Sequence, residues 1–369
     1  MANLFDYLKW RGDIPLSVDP FGEVDNLVLA ELAYTDFEGI LDGEAAGGFL
    51  PLKEICSRYF SMHTEEEVLA RETFVRKAPL LLKPLAESER FGGMQLGWYE
   101  NRICVEKDEQ MAAVACLLPD GTAYIAFRGT DDTIVGWKED FNLAYMRETT
   151  GQKQAAEYLN RFRSEEMPLR VGGHSKGGNL AVYASAFCDT AVRERITEIW
   201  SNDGPGFLKE VTETPQYEAI LPLVHSILPE GSLFGLLMHG KFQHHFIKSS
   251  GWGLMQHDAL TWEVERNRFV KGELKDSSMV IDSALSTWID GLELEERKSF
   301  IDTLFSVLTS TGSTTLEELG QNRLKNLGGM VNALVALDKD KKDVLGRVLG
   351  ALNKSSREAV MEEMQKTRK

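Results

Sequence analysis

The sequence lacks the features of several specialised protein classes. Its four cysteines, Cys56, Cys104, Cys116 and Cys188, are widely spaced and form no C-x-x-C pair. A disulfide framework or a structural metal site requires clustered cysteines, so reduced thiols and no metal are expected. No uncharged apolar run approaches 18 residues, and the first residues lack a basic start followed by an apolar run. A transmembrane segment and a secretory signal are therefore not expected, and the protein is predicted to be cytoplasmic.

Positive charge is also scarce. The 369 residues contain 41 lysines and arginines against 57 aspartates and glutamates, for a net charge of -16, and no run of five basic residues. Because a protein that neutralises phosphates needs a concentrated basic surface, a nucleic-acid partner is not expected. Hydrophobic residues make up 43% of the chain, which is enough for a sizeable packed core. The sequence gives no indication of the oligomeric state.

The apolar pattern divides the chain into three segments. Residues 1–92 are predicted to be a helical segment that packs on the core. Residues 93–274 alternate between strand and helix patterns, which predicts a mainly parallel sheet covered by helices. Residues 275–369 contain amphipathic helix patterns and are predicted to form a helical C-terminal subdomain that serves packing rather than chemistry.

Local patterns predict the individual elements. Helices are expected over 24–41, over 65–85 after a cap at Thr64, and over 152–162, 177–187, 279–289 and 295–308. Strands are expected over 94–105, 111–118, 122–127, 169–172, 196–201, 221–228, 245–249 and 262–270. Possible capping boxes at Thr314 and Ser355 indicate further C-terminal helices.

The clearest chemical signal is a G-x-S-x-G pattern at residues 173–177, between the strand predicted over 169–172 and the helix predicted over 177–187. A nucleophilic serine on a tight strand-to-helix turn needs small neighbours, and the following helix start offers amides to a developing oxyanion. Phosphate-loop and dinucleotide-binding patterns are absent. The pattern predicts that Ser175 is the nucleophile of a serine hydrolase with an α/β-hydrolase fold.

A second signal lies 45 residues earlier. The apolar strand at 123–127 runs directly into Arg128-Gly129-Thr130. This fold draws one oxyanion donor from the residue after the nucleophile and another from an earlier strand-end loop. The backbone amides of Lys176 and Thr130 are the predicted donors, and the Thr130 hydroxyl is a candidate third donor.

These two segments resemble the class 3 (fungal-type) lipases, which carry Phe-Arg-Gly-Ser/Thr and then Gly-His-Ser-Leu-Gly-Gly. Trp137 and Asp140 are similar to the tryptophan and aspartate that follow the oxyanion turn of that family. The closer resemblance is to bacterial lipase-like proteins of unknown function, which share Gly-His-Ser-Lys-Gly-Gly-Asn-Leu-Ala, the motif at 202–207, and Gln-His-Asp plus tryptophan at 256–262. The lipase resemblance covers about residues 110–265. Lys176 departs from it, because typical class 3 lipases have leucine there.

The catalytic base of this fold follows the nucleophile and the acid in the chain. The histidines after Ser175 are His225, His239, His244, His245 and His257. His225 lies inside a strand pattern, which favours a structural role. A metal site formed by His239, His244 and His245 is disfavoured, because their spacing does not match one helix face. The loop that contains His257 follows a strand and a glycine-rich segment, so His257 is the predicted base.

Two carboxylates are candidates for the acid that orients this histidine. Asp203 follows the strand at 196–201, and Glu230 follows the next strand. The Glu230 position is the usual one for the acid in the fold, and the class 3 family carries aspartate there. Asp203 is favoured narrowly, with Glu230 as the alternative. Asp258 adjoins the predicted base, but a capping role is expected for it.

The predicted reaction is hydrolysis of a small-molecule or lipid acyl ester, or of a thioester, without a metal or an organic cofactor. The Lys176 side chain is expected either to favour an anionic substrate or to project into solvent. A peptidase or acyltransferase would use the same triad. The alternative from another class is a catalytically silent α/β-hydrolase-fold module that binds or acts as a scaffold.

Overall fold

The computed structural model describes residues 1–41, 48–71, 73, 75–104, 109–131, 133–232, 234–251, 253–275 and 291–310, with 337, 339, 341–343 and 346. Its centre is an eight-stranded sheet in which the strands follow one another in chain order. The eight strands are β1 (Phe49–Pro51), β2 (Gln95–Cys104), β3 (Glu109–Leu117), β4 (Ala123–Phe127), β5 (Leu169–His174), β6 (Ile196–Asn202), β7 (Val224–Pro229) and β8 (His244–Ile247). Strands β1 to β4 pair antiparallel, and the four pairings from β4 to β8 are parallel. The predicted α/β fold with a mainly parallel sheet is confirmed.

Helices surround this sheet. The α-helices are α1 (Leu4–Arg11), α2 (Glu23–Leu32), α3 (Leu52–Met62), α4 (Glu65–Ala70), α5 (Leu82–Glu87), α6 (Ile134–Asn142), α7 (Thr150–Asn160), α8 (Lys176–Phe187), α9 (Thr190–Arg193), α10 (Lys209–Thr212), α11 (Pro215–Ile220) and α12 (Leu294–Thr309). Short 3-10 helices lie at Ala78–Leu81, Arg161–Ser164, Leu221–Leu223, Gly253–His257 and Ala259–Thr261. A small hairpin of β9 (Val264–Glu265) and β10 (Arg268–Phe269) follows the sheet and completes the secondary structure of the described residues. No helix in the described ranges is long and apolar enough to cross a membrane.

The two faces of the sheet are covered by different parts of the chain. Right-handed crossovers that advance across a sheet in one direction place their helices on one face. Consistent with this rule, α7, α8 and α11 share one hydrophobic cluster with Ile125 and Phe127 of β4. Tyr124 and Ala126 alternate with them and point into the other cluster, where α1, α2, α3 and α5 pack. The N-terminal helices therefore cover the face that the crossovers leave open.

Several predicted elements differ in extent. The helix expected over 24–41 ends at Leu32. The helix expected over 65–85 is broken after Ala70 and continues as a 3-10 turn and α5, where Pro79 and Pro84 lack the N–H that a continuous helix needs. Pro222 likewise places the first residues of the strand expected over 221–228 in a 3-10 turn.

The prediction of a single strand over 262–270 is also wrong. It is a short hairpin that turns at Arg266, which has φ 59°. The cap at Thr64, which forms a capping box with Glu67, and the helix expected over 295–308 are confirmed. The helix predicted over 279–289 and the capping boxes at Thr314 and Ser355 lie outside the described residues.

Candidate active site

Ser175 occupies the turn between β5 and α8. Its backbone has φ 57° and ψ -132°, a region that non-glycine residues rarely adopt and that marks functional turns. Two backbone hydrogen bonds hold this conformation: the Ser175 N–H donates to the Asn202 carbonyl, and the Gly178 N–H donates to the Ser175 carbonyl, both at 2.9 Å. Residues on either side are buried, whereas Ser175 is partly exposed. The strand–turn–helix context expected for the G-x-S-x-G pattern is present.

Two glycines of this turn have no room for a side chain. A Cβ on Gly177 would lie 2.1 Å from the Phe127 carbonyl oxygen, and one on Gly173 would lie 2.3 Å from the carbonyl carbon of Gly177. The start of α8 therefore packs directly on the end of β4. This close approach brings the residues after Phe127 beside the serine.

A buried polar network supports the turn from below. The Asn202 side-chain amide donates to the Gly173 carbonyl at 3.0 Å, and the Asn26 amide donates to Asn202 Oδ1 at 2.8 Å. The Tyr124 hydroxyl donates to Asn26 Oδ1 at 2.7 Å. Sequence reasoning missed Asn26, which is fully buried; its place in the mostly apolar run 24–32 is the signal that could have indicated a buried polar contact.

The structure brings Asp203 and His257 together. Asp203 follows β6 with φ 50°, and its Oδ2 lies 2.6 Å from Nδ1 of His257. Asp203 is fully buried, and its other oxygen accepts hydrogen bonds from the Ser232 hydroxyl and, at 3.1 Å, from the Gly235 N–H. The His257 side chain is 22% exposed. A buried, fully hydrogen-bonded carboxylate therefore faces an imidazole that solvent can reach.

Glu230, the alternative acid, has a different partner. Its carboxylate pairs with Lys275 at 2.6 Å, near the surface. Asp258 accepts a hydrogen bond from the Leu260 N–H at 3.0 Å and caps the following 3-10 turn, as expected.

His174 links the serine turn to the His257 loop. Its Nε2 lies 2.9 Å from the His257 carbonyl oxygen, so this nitrogen must carry the proton. Burial, and then the nearby charge of His257, lower the pKa of His174 to about 3. The neutral ring then accepts at Nδ1 from the Tyr34 hydroxyl at 3.2 Å. Glu31 lies 3.3 Å from the same nitrogen, and burial raises the pKa of its carboxyl group well above the usual range.

The Ser175 hydroxyl makes no hydrogen bond to His257 in the described part of the chain. The rings of His174 and His257 are nevertheless only 4.7 Å apart between centroids, and His174 adjoins Ser175. In sites without substrate, catalytic hydrogen bonds are often long and shorten when the substrate binds.

The Thr130 turn lies directly against the serine. A Cβ on Gly129 would lie 3.1 Å from Cβ of Ser175. The Thr130 hydroxyl donates to Oδ2 of Asp140, whereas the Thr130 backbone N–H has no hydrogen-bond partner among the described residues. Burial raises the pKa of Asp140 to about 6, against the opposing effect of the Lys176 ammonium.

The Lys176 side chain contradicts one of the two sequence-based expectations, because it does not project into solvent. Its ammonium lies 2.8 Å from Oε2 of Glu139, and the two side chains are 3% and 2% exposed. Gln110 Oε1 at 3.4 Å and Asp140 Oδ1 at 3.8 Å complete its surroundings. The expectation of solvent exposure was wrong because the sequence does not show that α6 brings a carboxylate to this lysine.

Of the other histidine candidates, His225 and His244 have structural surroundings, whereas His245 is exposed. His225 stacks on Trp200 with ring centroids 4.2 Å apart, and His244 Nδ1 lies 2.8 Å from the Ser226 hydroxyl. Within the described ranges, no group of three or more histidine, cysteine, aspartate or glutamate residues could hold a metal ion.

The sheet, its helical layers and the serine on the strand-to-helix turn together have the architecture of an α/β-hydrolase fold. Comparison with models of protein families shows the family to which the chain belongs. The model of the Mbeg1-like family matches residues 85–306, which is more than half of the chain. The protein belongs to the Mbeg1-like family.

Comparisons with solved structures and with curated protein sequences add little to the family assignment. A crystal structure of M37 lipase is similar to half of the chain, with 15% sequence identity and a TM-score of 0.34 over 69% of its own length. A similarity this low carries no argument about function. No match to this chain was found among curated protein sequences.

Proposed function

We propose that this protein is a lipase-like serine hydrolase that cleaves an ester or thioester through an acyl-enzyme. The observation that carries the proposal is the 2.6 Å hydrogen bond between Asp203 and His257, at the same edge of the sheet as Ser175. A strained serine after β5, a buried carboxylate after the neighbouring β6 and a partly exposed histidine in the 3-10 helix Gly253–His257 are the three groups that acyl transfer requires.

In the first half of the reaction, the Ser175 hydroxyl attacks the acyl carbon of the substrate. His257 Nε2 takes the hydroxyl proton as the serine oxygen forms its bond to carbon. Asp203 accepts from the Nδ1–H of His257, which holds the tautomer with a free Nε2 and stabilises the charged imidazolium. His257 then gives the proton to the departing alcohol or thiol, and the acyl group remains on Ser175.

In the second half, water attacks the acyl-enzyme. His257 removes a proton from the water, and the second tetrahedral intermediate collapses when the same proton is returned to the Ser175 oxygen. The products are the carboxylic acid and the free enzyme. In both halves, the amides of Thr130 and Lys176 donate to the negative oxygen, which is the contribution expected of an oxyanion hole.

The surroundings of Lys176 bear on the substrate class. Because Glu139 already neutralises the ammonium and both groups are buried, the serine turn offers no free positive side chain to an anionic acyl group. A neutral ester or thioester therefore fits this side of the site better than a substrate with a charged acyl chain.

A fluorophosphonate probe tests the proposal, because it reacts with a serine that a histidine activates. The folded protein should be labelled, and Ser175→Ala should abolish the labelling while leaving the thermal unfolding midpoint nearly unchanged. Absence of labelling in the folded wild-type protein would instead support a catalytically silent binding module. Labelling that persists in Ser175→Ala would assign the nucleophile to another residue.

A substrate panel then separates the reaction classes. We expect turnover of p-nitrophenyl esters and of acyl thioesters. Turnover of peptide substrates alone, or acyl transfer to an added alcohol in preference to water, would reassign the protein as a peptidase or an acyltransferase.

A further inference from the structure

The backbone and the side chain of Lys176 have different roles. Its backbone amide is the proposed oxyanion donor, and its side chain leaves the serine turn in the direction of α6. A fully buried lysine is unusual, because an ammonium loses its hydration on burial and requires a partner. The partner is Glu139, with Nζ and Oε2 2.8 Å apart.

Besides Lys176, Glu139 binds two further elements. Its Oε2 also accepts from the Gln110 N–H of β3 at 2.9 Å, and its Oε1 accepts from the Gly151 N–H at the start of α7 at 2.7 Å. Three donors therefore satisfy this carboxylate. The hydrogen bonds fix the position of α6 relative to the sheet and to the serine turn.

The same helix holds the other proposed oxyanion donor. Asp140, the next residue on α6, accepts from the Thr130 hydroxyl. Gly136, one turn earlier, is so close that a Cβ there would lie 2.8 Å from Cγ2 of Thr130. Movement of α6 would therefore move Thr130.

We propose that the Lys176–Glu139 ion pair is a positioning device that sets the separation between the Thr130 and Lys176 amides. This inference rests on the proposed hydrolase function. One end of the pair belongs to the residue that supplies one amide, and the other end belongs to the helix that holds the second amide. Lys176 and Glu139 are thus positioning residues through their side chains.

An apolar contact would hold the two elements less specifically. Hydrophobic packing is non-directional, whereas an ammonium–carboxylate pair with additional amide donors has preferred distances and angles. A buried ion pair is often no more stabilising than apolar residues of the same volume. The Lys176–Glu139 ion pair therefore contributes a precise separation between the Thr130 and Lys176 amides rather than extra stability.

The test compares labelling rates with the fluorophosphonate probe in Lys176→Met, Glu139→Gln and the double variant. Each single variant should be less stable, because it leaves one buried group without its partner. The double variant removes both charges and should recover part of the lost stability, because the amide nitrogen that glutamine places at position 139 still faces one of the two backbone N–H donors. Per folded molecule, we expect it to react about 10- to 100-fold more slowly than wild type, the cost of a small misplacement of catalytic groups.

A matched control is available on the strand that leads to the serine. Arg170 of β5 pairs with Glu198 at 2.7 Å, away from the Thr130 turn. The double variant Arg170→Met/Glu198→Gln should react at the wild-type rate. With an ester substrate, the Lys176→Met/Glu139→Gln variant should lose kcat while its KM stays within about twofold, because misplaced oxyanion donors affect the transition state.

The outcomes separate this inference from the proposed function. Wild-type rates in the folded Lys176→Met/Glu139→Gln variant would overturn the positioning role and leave the hydrolase proposal standing. Absence of labelling in the wild-type protein would overturn both. If that double variant does not fold, the labelling rate of Glu139→Asp is measured instead. This substitution keeps the charge but shortens the side chain. A wild-type labelling rate in this variant would overturn the inference.

Discussion

Two buried carboxylates flank Ser175, and the two groups that they hold differ in their access to solvent. On one side, Asp203 holds His257, whose side chain is 22% exposed; we call this the open pair. On the other side, Glu139 holds Lys176, and both side chains are at most 3% exposed; we call this the sealed pair. Each carboxylate accepts three hydrogen bonds within its pair and from neighbouring groups.

The difference between the two pairs shows how burial determines what a charged pair can do. A base must exchange protons with the reacting groups, so its ring has to reach the cleft while the acid behind it stays dry. A buried lysine that is paired with a buried carboxylate cannot exchange a proton with the reacting groups. In the proposed role, the Lys176–Glu139 pair instead sets the distance between the Thr130 and Lys176 amides.

The largest expected effect comes from breaking the open pair. Asp203→Asn should lower kcat about 10³- to 10⁴-fold, because an amide no longer selects the His257 tautomer with a free Nε2 and no longer stabilises the imidazolium. The measurement is steady-state hydrolysis of a p-nitrophenyl ester, with circular dichroism as the control for folding. A loss smaller than tenfold in the folded variant would remove Asp203 from the triad.

Breaking the sealed pair should act mainly on stability. Lys176→Met leaves the Glu139 carboxylate buried without its cation and should cost about 3–5 kcal/mol of unfolding free energy. Urea unfolding of the variant and of wild type measures the difference. A cost below about 1 kcal/mol would mean that water reaches Glu139 and that the pair is not sealed.

His174, which supports the open pair through the His257 carbonyl, should make stability depend on pH. Because the pKa of His174 is about 3 in the folded protein and near 6.5 when exposed, the unfolded chain binds this proton more readily. This contribution to stability is complete above pH 6.5 and is lost as the pH falls toward 3. His174→Gln removes the titrating group, so its loss of unfolding free energy from pH 7 to pH 5 should be smaller than that of wild type by about 2 kcal/mol. Urea unfolding at the two pH values tests this, and equal losses in both proteins would contradict it.

The smallest effect is expected at Glu230, the carboxylate that belongs to neither pair. Its partner Lys275 is 46% exposed, and such surface ion pairs contribute little to stability. Glu230→Gln should change the unfolding free energy by less than about 1 kcal/mol and the ester hydrolysis rate by less than twofold. A loss as large as that of Asp203→Asn would make Glu230 the acid.

Local patterns predicted most of the sheet. The strands around the site lie within a few residues of their expected positions, because apolar β-branched runs between turn signals depend on local sequence alone. Long helices were predicted less well. Apolar spacing suggested one helix over 24–41, whereas α2 ends at Leu32. The alternation of strands and helices did not show that the N-terminal helices pack on the face opposite the crossover helices, since that follows from the direction in which the crossovers advance.

The serine turn was predictable for the same local reason. Gly173 and Gly177 flank Ser175 at a fixed spacing, and the close approach of β4 to α8 requires both glycines. The choice between Asp203 and Glu230 was different. Both follow strands that end at one edge of the sheet, and sequence reasoning favoured Asp203 only narrowly. The hydrogen bond of Asp203 to His257 joins two residues that are 54 positions apart in the chain, so it depends on how two separate loops meet.

The sequence by itself therefore determined the serine turn, the sheet that carries it and the histidine loop expected to serve it, because these depend on spacing within short segments. Only the tertiary structure decided which carboxylate faces His257 and where the Lys176 ammonium lies. Both depend on which side chains from distant segments meet in the same buried space, and the cost of burying a charge without a partner then fixes the pairing. Lys176 and Glu139 are 37 residues apart in sequence and 2.8 Å apart in the fold.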